Sequence, residues 1–232
     1  KSEQAKYCVG KTVTFVGTGA ESVNWQIGAK VPDPALVGTE YNGDYSFDGA
    51  KSVTFKNLTL MSAEKDYLGF IRTDNTVVEN CTVKGKTFYW GYTSAKFVNT
   101  TFICPPGDYA IWTYSSPIMT FDNCIFESSG KVVNVYTDYS AGKHDITVNF
   151  KDCTVHSTNS ESKSFLNIND ANMGGYKYIL NFTGINTVDG IKADGIQATE
   201  GSHKDEHYKK QEDVTCSKLF EFNTKRGRGN SG

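Results

Sequence analysis

No stretch of this 232-residue chain holds eighteen consecutive apolar residues, so no membrane-spanning helix is expected in it. Formal net charge is −2, and without a basic surplus a nucleic-acid surface is not indicated. The six cysteines include no Cys-x-x-Cys pair, which removes the common zinc and redox spacings. Histidine is scarce at four. The one close pair, His203 and His207, lacks the Glu of a His-Glu-x-x-His motif and sits among Lys and Glu. It reads as a solvated loop, and no metal or cofactor is expected. No long segment sustains a 3.6-residue period, so helix is confined to short turns near residues 32–37 and 202–210. No leader opens the chain, and Lys1-Ser2-Glu3-Gln4 reads as the start of a cut fragment.

What is present is glycine (22, against 5 prolines), with dense β-branched and aromatic residues. That is the composition of an all-β protein rich in turns. One phrase recurs. Val53-Thr-Phe-Lys-Asn57-Leu-Thr-Leu60 is echoed at residues 76–83, 95–102, 119–126 and 148–155. A looser copy lies at Ile179–Val188, and Thr12–Val16 opens the series. The Asn/Asp positions are 57, 80, 99, 123 and 152, so the steps are 23, 19, 24 and 29. Steps of this size and variability fit stacked coils with loops of different length. Asn and Asp tolerate the left-handed backbone region, which suits a bend repeated on every coil. Phe55, Val78, Phe97, Phe121 and Phe150 share one column, and Leu60, Val83, Phe102, Phe126 and Val155 another. Both read as core.

Through VTFKNLTL, TVVENCTV, AKFVNTTF, MTFDNCIF and VNFKDCTV the chain resembles right-handed parallel β-helices. That is the solenoid fold of pectate lyases and many bacterial surface proteins. The resemblance covers roughly residues 50–156 well, and it implies a single β-helix domain with irregular loops over 1–222. Residues 223–232, rich in Arg and Gly, read as a disordered tail. A β-sandwich of short strands is the rival fold, but it gives no reason for the recurring Asn.

A second strand is expected in each coil, at residues 69–73, 89–93, 109–113, 133–137 and 166–170. Two-residue alternation then turns Phe70, Trp90, Ala110, Asn134 and Asn167 outward, with Arg72, Tyr92, Trp112, Tyr136 and Asn169. The expected ligand-binding face is Phe70, Arg72, Trp90, Tyr92, Trp112, Tyr114 and Tyr136, with Tyr139 as a further extension. Such a face suits three roles: a small second core under a loop, a protein-binding surface, or a platform for sugar rings.

Cys81, Cys124 and Cys153 share one inward column and read as small buried hydrophobes, with a disulfide between stacked strands geometrically demanding. Asn57, Asn80, Asn99 and Asn181 each begin a glycosylation sequon, and the first three fall in bends, where turn chemistry accounts for them. β-helix lyases and polygalacturonases gather acids in a groove. Here the outward columns offer Arg72, Asn134, Asn167, Asn169 and Asp170, with Asp138 nearby, and no carboxylate pair on adjacent coils. A loop pair such as Asp108 and Asp138 stays open.

The chain as a whole is similar to β-helix modules in large secreted surface proteins of gut-dwelling Gram-positive bacteria. Some of these bind immunoglobulin variable regions in a superantigen-like manner. That resemblance implies a non-catalytic, secreted or cell-surface module that holds a host protein or a mucosal glycan through the aromatic face. A polysaccharide lyase or glycoside hydrolase is the alternative, and a structural spacer the third.

Overall fold

The computed structural model describes residues 8–18, 24–27, 45–62, 70–85, 90–104, 109–112, 117–128, 132–136, 145–157, 166–169, 178–190, 196–198 and 214–216. These residues form nineteen strands in three parallel sheets, so the fold class is all-β. The eight-stranded sheet contains β1 (Thr12–Val16), β3 (Tyr45–Lys56), β5 (Phe70–Glu79), β7 (Ser94–Val98), β10 (Ile118–Asp122), β13 (Ile146–Lys151), β16 (Tyr178–Thr183) and β19 (Val214–Cys216), in that order. The seven-stranded sheet contains β2 (Asn24–Ile27), β4 (Thr59–Ser62), β6 (Thr82–Lys84), β8 (Thr101–Ile103), β11 (Ile125–Ser128), β14 (Thr154–Ser157) and β17 (Thr187–Gly190). The four-stranded sheet contains β9 (Ile111–Trp112), β12 (Val133–Tyr136), β15 (Leu166–Asn169) and β18 (Ile196–Ala198). From β7 onward the chain visits the three sheets in fixed rotation.

Register is set by the repeated phrase. Phe55 pairs with Val78, Val78 with Phe97, Phe97 with Phe121, Phe121 with Phe150 and Phe150 with Phe182. A one-residue slip would turn every one of these side chains to solvent, so the apolar column itself enforces the pairing. The copies at Thr12–Val16 and Ile179–Val188 pair in the same register, the first on β3 and the second on β13 and β14.

The core lies between the inner faces of the two larger sheets. Rings within one column stack at the strand spacing: Phe97–Phe121 at 4.9 Å, Phe121–Phe150 at 5.2 Å and Phe150–Phe182 at 5.1 Å between centroids. Rings from the facing sheet meet them edge-on, as Phe102 does Phe97 at 68° and Phe126 does Phe121 at 68°. Both arrangements suit the ring quadrupole, so each contact adds to the area term.

The bends are as the sequence implies. Asn57, Asn80, Asn99, Asn123 and Asp152 all have φ between 47° and 56°. The Asn side chains form a ladder in which each amide donates to the oxygen of the preceding one. The distances are 3.3 Å (Asn80 to Asn57), 3.2 Å (Asn99 to Asn80) and 2.8 Å (Asn123 to Asn99). Gly184 takes the next bend at φ +67°, where a Cβ would collide with the Asp152 carboxylate. Asn99→Ala removes two ladder bonds and places a Cβ residue without Asn's local compensation in the left-handed region. It should cost about 1–2 kcal/mol in urea denaturation, and Asn99→Gly less. Equal losses in the two variants would show that the amide bonds, and not the backbone conformation, set the cost.

Candidate functional site

The side of the molecule carrying the expected aromatic face differs from the sequence reading in three ways. First, residues 90–93 are not a strand. Gly91 has φ +143°, a region open essentially to glycine alone, and the chain bends there. The Tyr92 and Thr93 amides then bond the Thr73 and Asp74 carbonyls at 2.7 and 2.8 Å. Two-residue alternation does not cross such a bend. Trp90, expected outward, is 1% exposed and meets Phe97 edge-on at 5.0 Å and 84°. The Trp90 indole N–H is the one buried side-chain polar atom among the described residues that lacks a hydrogen-bond partner.

Second, the expected columns do not line up. Phe70 and Arg72 lie on β5 of the eight-stranded sheet, where Phe70 pairs with Tyr45. Trp112 and Tyr136 lie on the four-stranded sheet. There Ile111 pairs with Val133 and Trp112 with Asn134, a shift of two residues from the expected alignment. Trp112 therefore heads a column that runs through Asn134, Asn167 and Gln197, while Tyr136 pairs with Asn169. Alignment of β12 with β15 is as expected. Third, Ala110 and Asn134, expected outward, are buried, Asn134 at 3% exposure.

Tyr92 and Trp112 remain half-exposed and carry the candidate surface. The backbones of Phe70, Arg72 and Tyr136 are placed, but their side chains lie outside the described residues. So do Tyr114, Tyr139, Asp108, Asp138, Asp170, His203 and His207, and the expected tail boundary at 222/223.

The second cluster of chemical interest is the column one residue past each bend. Cys81, Thr100, Cys124 and Cys153 are all buried, and each donates to two carbonyls, one two residues back and one in the preceding repeat. Cys81 Sγ reaches Glu79 O and Phe55 O at 3.2 and 3.5 Å, and Thr100 Oγ1 reaches Val98 O and Val78 O at 3.0 and 3.4 Å. Cys124 and Cys153 repeat the pattern at 3.4 to 3.6 Å. The column therefore selects a small buried donor, and a hydroxyl serves as well as a thiol. The sequence carried this signal as Asn-Cys-Thr, Asn-Thr-Thr, Asn-Cys-Ile and Asp-Cys-Thr, in which Thr100 stands in for Cys. Burial raises the pKa of Cys81. Cys8, Cys81, Cys124 and Cys153 are free thiols. In comparisons with known proteins the chain matches no family model, no curated protein and no solved structure.

Proposed function

We propose that the chain is a right-handed parallel β-helix acting as a non-catalytic binding module of a secreted or cell-surface protein, with a host protein as its partner. Immunoglobulin is the partner suggested by the resemblance to gut bacterial surface modules. The observation that carries the β-helix part is the fixed rotation of consecutive strands through three parallel sheets with in-register columns. A stack of that kind is a stiff scaffold whose side chains repeat at the strand spacing. What supports binding is narrower: two large half-exposed aromatics, Tyr92 and Trp112, in successive repeats, and such residues dominate protein interfaces.

The test is capture from human serum and mucosal secretion on immobilised protein, comparing wild type with Tyr92→Ala/Trp112→Ala shown by circular dichroism to be folded. Wild type should retain immunoglobulin, and the variant should bind it on the order of 30-fold more weakly, the loss of one interface hot spot. Equal capture by both forms, or by neither, overturns the assignment.

A structural reading draws on the burial of Asn134 and of Trp90, which joins the main core against Phe97. On that reading the double variant melts at lower temperature and captures nothing different.

A further inference from the structure

Cys124 and Cys153 follow the bends of successive repeats. Phe121 pairs with Phe150 on one side of them and Ile125 with Thr154 on the other, and the Thr154 amide bonds the Cys124 carbonyl at 2.9 Å. Paired parallel strands run about 4.8 Å apart, inside the range of roughly 4.4–6.8 Å over which Cα atoms are bridged by a disulfide. Both thiols are free, buried and on the same face of the same column. Cys81 has the same surroundings but lies two strand spacings from Cys124, with Thr100 between them. At about 9.6 Å it is out of reach.

We propose that Cys124 and Cys153 are a covalent cross-link site, closing into a disulfide between successive repeats when the chain meets a small disulfide such as oxidised glutathione. In the closed repeat the interaction between the two thiols raises the pKa of Cys124, as burial also does, and lowers that of Cys153. In the open bend either thiol can ionise and attack, Cys153 or equivalently Cys124. With Cys153 first, its thiolate attacks one sulfur of oxidised glutathione, forming a mixed disulfide and expelling one glutathione thiolate. Cys124 then loses its proton and attacks the protein sulfur of that mixed disulfide, expelling the second glutathione. The protein gives up two thiol protons and two electrons, and oxidised glutathione is reduced to two glutathione thiols. Both cysteines are shielded in the closed repeat, so the exchange takes place while the bend is open, as it is during folding.

The experiment is refolding of the full chain from urea in glutathione buffers of stepped redox ratio, followed by acid quench, alkylation under denaturing conditions and peptide mapping by mass spectrometry. With rising oxidised glutathione, the peptides holding Cys124 and Cys153 should appear joined, lighter by two hydrogens than the reduced pair. Cys81 should stay alkylatable throughout. Cys124→Ser and Cys153→Ser keep the donor that the column needs, as Thr100 does, and each should abolish the joined species, while Cys81→Ser should not. The oxidised wild type should also unfold at higher urea than the reduced form, and Cys124→Ser should show no such difference. Alkylation of Cys124 and Cys153 as complete as that of Cys81 in the most oxidising buffer overturns the proposal. So does a stable glutathione adduct on Cys153 that never resolves, or joining of either cysteine to Cys81.

Discussion

Phe121→Ala should lower the stability of the protein by about 3–5 kcal/mol, with the full value expected from urea denaturation at unchanged slope. Phe121 has no exposed surface and touches four rings: Phe97 and Phe150 stacked above and below, Phe102 and Phe126 edge-on from the facing sheet. Truncation removes the transfer energy of a whole ring and leaves a void that stacked strands, fixed by their ladders on both sides, cannot close. In a chain of this size the loss corresponds to a fall in melting temperature on the order of 10 °C. Phe15→Ala is the informative control. Phe15 heads the same column on β1 and stacks on Phe55 at 5.8 Å, but is only half-buried. Its loss should be well under half as large. Equal losses at the two sites would contradict a core whose strength comes from stacking on both sides.

Gly91→Ala should cost about 2 kcal/mol or more and disturb the environment of Trp90. At φ +143° any side chain is strained, and here a Cβ would stand 2.5 Å from the Ser94 carbonyl oxygen and 3.3 Å from that of Asp74. Both obstacles are backbone, so neither can swing aside. Relief requires the bend to open, and the bend is what holds the Tyr92 and Thr93 amides on β5 and turns the Trp90 indole inward. Tryptophan emission should shift to the red in Gly91→Ala, and comparison with Trp90→Phe assigns the shift among the three tryptophans. A stable Gly91→Ala protein with unchanged emission would restore the extended reading of residues 89–93, with Trp90 on the surface.

Two of the three sheets were legible because their information is local and repeated. The Asn and Asp bends were expected in the left-handed region from residue type alone, and all five occupy it. The two apolar columns fixed the register of the larger sheets, since any slip would bury polar residues. Even the weak copy at Ile179–Val188 followed, with Gly184 replacing Asn and Ile185 as an extra residue before Asn186, whose side chain accepts from the Cys153 amide. The third side was not legible in the same way. Its strands are only two to four residues long, and no bend residue recurs to anchor their alignment. A strand of two residues, such as Ile111–Trp112, carries too little alternation to choose between registers two apart.

The candidate surface suffered most from this, because it was built on that side. The run Phe88-Tyr89-Trp90-Gly91-Tyr92 holds its own breaker, and Gly91 was the available sign that strict alternation would fail. Sequence by itself determined the parallel stacking, the bend ladder, the stacked core and the thiol column, because each depends on a residue meeting its own equivalent one repeat away. Only the tertiary structure decided which aromatics face solvent. That depends on a glycine bend, after which Trp90 packs against Phe97 and Tyr92 is left half-exposed.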